Sequence, residues 1–182
     1  QEKVPTLLLH SCCAPCSSYC LEYLSDYFDI TLFFYNPNIQ PAEEYEKRLS
    51  AQKQLLERAK YKNPVAFLAG EYEPQRFFEA VKGLENCREG GARCEKCFEL
   101  RLSKAAEIAK KGGFDYFATT LTVSPHKNAV LINEIGGRYQ NYLPSDFKKR
   151  EGYKRSIILS KEYELYRQGY CGCIFSKGEK DI

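Results

Sequence analysis

Seven of the nine cysteines in this chain fall in three tight groups: Cys12, Cys13 and Cys16; Cys94 and Cys97; Cys171 and Cys173. Cysteines this close in sequence bridge one another only with strain, whereas thiolates from separate groups converge readily on a metal. The odd total also prevents complete pairing within one chain. A chain of 182 residues buries roughly 70% of its unfolded surface on folding, so it needs no covalent staples. These points predict a reducing compartment and a core independent of disulfides. Cys20 and Cys87 stand apart from the groups and read as small hydrophobes.

Short apolar runs at Thr6–His10, Asp29–Tyr35, Val65–Leu68 and Tyr116–Thr119 are each bounded by Gly, Pro or Asn, as buried strands are. Helical patterns lie between them, from Pro15 to about Tyr27, from Ala42 to about Lys60 and from Cys94 to about Lys111. Tyr45, Leu49, Leu56 and Ala59 mark one side of the second helix. Phe98, Leu102, Ala105 and Ala109 form the buried stripe of the third, which Gly112-Gly113 stops. A further helical region surrounds Ser156–Tyr163. The alternation predicts one α/β domain, residues 1–182, built on a parallel sheet. In such a sheet ligands bind beyond the carboxyl ends of the strands. That places the first cysteine group, within Ser11–Cys16, where a site is expected, along with Asn36–Gln40, Glu71–Pro74 and Thr119–Lys127. No run of 18 apolar residues is present, and the expectation is a cytoplasmic protein.

Cys94 and Cys97 fall in the first turn of a helix, where the macrodipole and free N–H groups favour thiolate over thiol. Several thiolates brought together repel unless a cation or an iron–sulfur core neutralises them. A local zinc ribbon separates its pairs by roughly 15–20 residues, but here 77 residues lie between Cys16 and Cys94. Cys13-Ala14-Pro15-Cys16 has the spacing of a thioredoxin-like dithiol, although that leaves five grouped cysteines unexplained. Tyr19 stands where a radical-SAM motif needs cysteine, Ser17 stands where haem attachment needs histidine, and no Walker loop is present. An iron–sulfur cluster takes four thiolates, so seven leave a surplus for a second metal beside it.

The segments Leu8–Cys16 (LLHSCCAPC), Arg93–Leu102 (RCEKCFELRL), Thr119–Lys127 (TTLTVSPHK) and Tyr166–Cys173 (YRQGYCGC) resemble epoxyqueuosine reductases of the QueH type, in order and across nearly the whole chain. The resemblance implies reduction of the epoxide of epoxyqueuosine to the cyclopentene of queuosine, a tRNA wobble base. It implies a [4Fe-4S] cluster with an adjacent mononuclear iron, and a nucleotide-hydrolase-like fold related to the PP-loop ATPases. The Cys12–Cys16 segment would replace their phosphate loop, so ATP use is not expected. Removing an epoxide oxygen as water consumes two electrons and two protons, and an adjacent iron would also polarise the C–O bond.

On this reading all seven grouped cysteines are metal ligands, with no division between the two metals. Glu71, Glu73 and Asp146 are candidate carboxylates for an open metal position, and His126 and Lys127 are candidate proton donors. His10 reads instead as a structural strand-end histidine. Asn36, Asn38, Thr119, Thr120 and Ser124 lie at strand ends within reach of a polar nucleobase. Phe147–Arg155 (FKKREGYKR) sets Lys148, Lys149, Arg150, Lys154 and Arg155 against one acid, with Tyr153 interleaved, a composition that grips phosphates and stacks bases. The expected partners are tRNA carrying epoxyqueuosine and an unspecified electron donor. A thiol–disulfide oxidoreductase and a zinc-stabilised RNA-binding module remain as alternatives.

Overall fold

The computed structural model describes residues 3–178. Four strands, β1 (Thr6–Ser11), β2 (Asp29–Phe34), β3 (Val65–Ala69) and β4 (Tyr116–Thr119), form one parallel sheet in the order β3-β2-β1-β4. The register sets Leu7 opposite Ile30 on one side and Tyr116 on the other. Leu7, Leu8 and Leu9 of the central strand are all buried because both faces of the sheet are covered. Leu7 and Leu9 pack against helices α1 (Ala14–Leu24), α2 (Ala42–Arg58) and α6 (Gly152–Glu162), while Leu8 packs toward α4 (Ala92–Gly112). Successive strand residues point to opposite faces, which is what divides this leucine run between two cores.

The chain steps outward from β1 to β2 to β3, then returns through α3 (Pro74–Ala80) and α4 to place β4 on the other side of β1. The crevice between the carboxyl ends of β1 and β4 is therefore the topological switch point of the sheet. Both segments that flank it, Cys12–Cys16 and Thr119–Lys127, carry candidate site residues. All four expected strands form within one residue of their expected bounds, and α4 carries the expected stripe, closed by Gly113 at φ 67.

Three features differ from the sequence reading. The short helices α3 and α5 (Ala129–Gly136) were not foreseen, since neither holds enough turns to show a period. α6 begins at Gly152, so Lys154 and Arg155 are helical. The buried side of α2 is Glu44, Tyr45, Arg48, Ala51, Gln52 and Leu55, while Leu49 and Leu56 are only half-buried. Hydrophobicity misplaced that stripe because two of its charged residues, Glu44 and Arg48, neutralise each other inside the protein. Among the described residues no helix is long and apolar enough to cross a membrane.

Candidate metal centre

β1 delivers Cys12 and Cys13 directly to the switch point, and Pro15 in the first turn of α1 fixes the chain so that Cys16 returns toward them. The sulfurs of Cys12, Cys13 and Cys16 lie within 4.8 Å of one another, with Cys12 and Cys13 3.8 Å apart. A tetrahedral ion with metal–sulfur bonds of about 2.3 Å would hold its thiolates about 3.8 Å apart. The triad therefore fits a single soft metal ion and leaves a fourth position open. Hydrogen bonds from the Cys13 and Cys16 thiols hold Cys12 well below its ordinary pKa, helped by the Lys127 charge and the Thr120 hydroxyl and opposed by burial. Cys13 is pushed up to about 11, chiefly by the neighbouring Cys12, and Cys16 is raised as well. Metals bind the deprotonated forms, so a bound metal would release whatever protons the triad carries.

The backbone beneath the triad is locked by polar contacts. His10 is fully buried; its Nε2–H donates to the Tyr35 carbonyl and its Nδ1 accepts from the Thr119 hydroxyl, each at 2.9 Å, a tautomer fixed by the carbonyl partner. Burial, reinforced by Arg101, lowers its pKa to about 4, so His10 is a neutral structural group. Asn36 donates to the Ser11 carbonyl at 2.8 Å, and Thr120 accepts from the Cys12 N–H at 3.1 Å.

The second sulfur set is assembled over a longer range. Cys94 and Cys97 start α4, and Cys171 and Cys173 come from a carboxy-terminal loop; all four line a cavity of about 70 Å³. Among the described residues they do not gather within 4.8 Å as the triad does. Burial pushes the Cys97 thiol up to about 11 and raises Cys94 and Cys173.

Buried arginines hold this loop. Arg48 pairs with Glu44 at 2.7 Å and donates to the carbonyls of Cys171 and Tyr170 at 3.0 Å each, while its guanidinium lies 5.2 Å from the Tyr170 ring centre. Arg93 donates to the Glu85 carbonyl at 2.8 Å, to the Cys87 carbonyl and to the Ser176 hydroxyl at 2.9 Å. Gly172 adopts φ 111, and a Cβ there would lie 2.8 Å from Ile39 Cγ1 and 3.0 Å from Arg48 Nη1. Only glycine accepts both the conformation and the crowding.

A larger cavity of about 390 Å³ opens over the triad, lined by Cys12, Cys13 and Cys16 together with Tyr153, Arg167 and Gln168. Cys171, Glu89, Arg101, His126 and Lys127 line both cavities, so the two sulfur sets adjoin through shared walls. Burial opposes the charge on Lys127, but Cys12, Cys16 and Cys171 outweigh it and raise its pKa. Glu71, Glu73 and Asp146 line neither cavity. Glu73 accepts from the Tyr35 hydroxyl and pairs with Arg76, and Asp146 pairs with Lys148. Glu89 is the carboxylate at the site; its position in the Cys87–Gly91 turn carries no pattern that singles it out.

The residues expected to touch substrate divide. Ser124 lines the large cavity and Asn38 the small one, where Asn38 Oδ1 is buried without a hydrogen-bond partner among the described residues. Asn36, Thr119 and Thr120 are engaged in the scaffold below the sulfurs. Lys148 turns inward to the carbonyls of Lys127 and Thr122, at 2.9 and 3.3 Å, and Arg155 is bound to Glu22. Lys149 stays exposed. Arg48 and Arg101 were missed, because a charged residue on a helix reads as solvated until its partners are known.

Fold and site together define a cysteine-rich α/β protein equipped to bind metal. A family model described as epoxyqueuosine reductase QueH matches residues 7–179. The chain is 49% identical over 179 residues to the epoxyqueuosine reductase QueH of Streptococcus pyogenes serotype M1, covering 94% of this chain and 70% of that protein. It is 48% identical over 187 residues to the Staphylococcus epidermidis protein of the same name, covering 98% and 79%. Against the Thermotoga maritima one it is 39% identical over 186 residues, covering 96% and 92%. The chain belongs to the epoxyqueuosine reductase QueH family, and it is a reductase by that membership.

Proposed function

We propose that this protein reduces the epoxide of epoxyqueuosine in tRNA to the cyclopentene of queuosine, acting in the cytoplasm as a single metal-binding catalytic domain over residues 1–182. The observation that carries this reading is the meeting of seven thiols from three chain segments on two cavities that share Cys171. Cys94, Cys97, Cys171 and Cys173 are the four thiolates that a [4Fe-4S] cluster takes, and Cys12, Cys13 and Cys16 suit an adjacent iron with one position open. When bound, the cluster supplies electrons and the iron polarises the C–O bond. The reaction takes two electrons, from an external donor, and two protons, and the epoxide oxygen leaves as water.

The chain's own groups shape that chemistry. Lys127 Nζ, held cationic by the surrounding sulfurs, keeps a proton at the boundary of the two cavities, and His126 lies beside it. Tyr153 and Tyr170 give the large cavity aromatic walls, and Ser124 offers a hydroxyl to the base. Lys149 contributes phosphate attraction at the surface. A wobble base is already partly unstacked, so bringing it into a walled cavity costs less than flipping one from a duplex. We extend the fold relationship to the PP-loop ATPases, with the Cys12–Cys16 turn at the helix start standing in for their phosphate loop; the parallel sheet and the strand-end position of that turn support this reading.

The test is anaerobic incubation of the metal-loaded, reduced protein with epoxyqueuosine-containing tRNA, followed by digestion and mass spectrometry. Queuosine is expected; its absence contradicts the assignment. Colourless, zinc-loaded protein would favour an RNA-binding module instead.

A further inference from the structure

The face where α1 meets the start of α6 carries a feature that the reduction does not use. Tyr19, Tyr23 and Tyr27 recur every fourth residue along α1 and the turn that follows it. The Tyr19 and Tyr23 rings are stacked with centres 6.5 Å apart, and Tyr23 and Tyr27 follow at 6.2 Å. Tyr19 is buried, but Tyr23 is 42% and Tyr27 63% exposed. Arg150 caps the row, its guanidinium 5.8 Å from the Tyr23 ring centre and its Nη1 donating to the Tyr23 hydroxyl at 3.4 Å.

Arg150 reaches this position at a conformational cost. It adopts φ 58 and Glu151 after it also adopts φ 58, two successive non-glycine residues in the left-handed region. Such residues are strained and persist where the surroundings enforce them. Gly152 then packs against the Phe147 carbonyl and the Tyr19 ring so closely that no Cβ fits. Nearby charges separate into two kinds. Lys154 is paired with Glu151 and Arg155 with Glu22, whereas among the described residues Lys149 and Arg150 make no ion pair. Part-exposed tyrosine rings beside two cations without ion-pair partners suit an unpaired base and its phosphate. One residue beyond Gly152, Tyr153 lines the large cavity, so this surface leads to the sulfur site.

We propose that Tyr23, Tyr27 and Arg150 form a stacking platform for an unpaired base of the RNA substrate, flanking the nucleotide whose base enters the cavity. The inference rests on the reading that tRNA is the substrate. It adds a second contact, outside the cavity, that distinguishes an RNA loop from a free nucleoside. The base stacks at the Tyr27 end of the row, the more exposed one, and Arg150 meets the adjoining phosphate.

The test measures the affinity of the metal-loaded full chain for an unmodified anticodon stem-loop RNA by fluorescence anisotropy. The double variant Tyr23→Ala/Tyr27→Ala is expected to raise Kd about 5- to 100-fold, with Tyr23→Phe retaining affinity. Arg150→Gln should weaken binding less and reduce the salt slope by about one. In steady-state assays with tRNA the loss should fall on KM, because no platform residue lines the cavity. Circular dichroism and iron content matching the parent establish that the variants fold. An unchanged Kd in the folded double variant, or no stem-loop binding by the parent, overturns the platform. A parent that binds through these residues but forms no queuosine contradicts the proposed reaction and leaves the platform standing.

Discussion

Cys12, Cys13 and Cys16 ride on the end of the central strand and the helix that follows it, whereas Cys94, Cys97, Cys171 and Cys173 meet only because side chains far apart in sequence hold a loop against a helix. The triad inherits its rigidity from the sheet: β1 is paired on both sides, and His10, Asn36 and Thr120 fasten the backbone beneath it. The second set depends on Arg48, Arg93 and Gly172. A strand end positions groups at little added cost, and a clamp of buried arginines lets distant thiols complete a larger site.

The sharpest contrast is between the two proposed sets of ligands. Cys12→Ala and Cys171→Ala are both expected to abolish queuosine formation, but with different losses: Cys171→Ala should lose acid-labile sulfide, and Cys12→Ala should keep most of it. Iron and sulfide analysis of the two variants checks this, and equal sulfide loss would merge the two sets into one.

Arg48→Ala removes the clamp and leaves the buried Glu44 without its cation, held only by the Tyr166 hydroxyl. Leaving one partner of a buried pair alone costs about 3–5 kcal/mol, which thermal unfolding would read. Cluster absorbance should fall with it while the triad's metal remains. Gly172→Ala should cost less, about 1–3 kcal/mol for the forced backbone, again with sulfide lost before the triad's metal. Loss of both metals together in either variant would show that the triad also depends on the clamp.

The smallest effect belongs to the far end of the same strands. Thr6 donates from its N–H and its hydroxyl to Asp115, at 2.8 and 3.0 Å, joining the entry of β1 to that of β4. The backbone hydrogen bond, then the hydroxyl, holds the Asp115 carboxyl below its usual range. The folded state thus prefers the ionised form, so this stabilisation is present above about pH 4 and fades as pH falls below it. Asp115→Asn should flatten that part of the melting-temperature profile without altering metal content.

The contrast also explains what could be read from the sequence. Strands and switch-point cysteines were legible because apolar runs with sharp Gly, Pro and Asn boundaries are local signals, and Cys12–Cys16 directly follows one of them. The clamp was not. Arg48 sits among charged residues on α2, and its buried state depends on carbonyls more than 120 residues away. Phe147–Arg155 illustrates the same limit: five basic residues suggested one phosphate-binding patch, but Lys148, Lys154 and Arg155 are engaged within the protein. Side-chain partners across the fold decide which charges remain available, and spacing along the chain does not encode them.

The most direct measurement is an iron-edge anomalous difference map from anaerobically reconstituted crystals. Iron density is predicted at two adjoining positions, a compact one bounded by Cys12, Cys13 and Cys16 and a larger one bounded by Cys94, Cys97, Cys171 and Cys173. Iron confined to one sulfur set, or two sites without a shared wall at Cys171, would contradict the account.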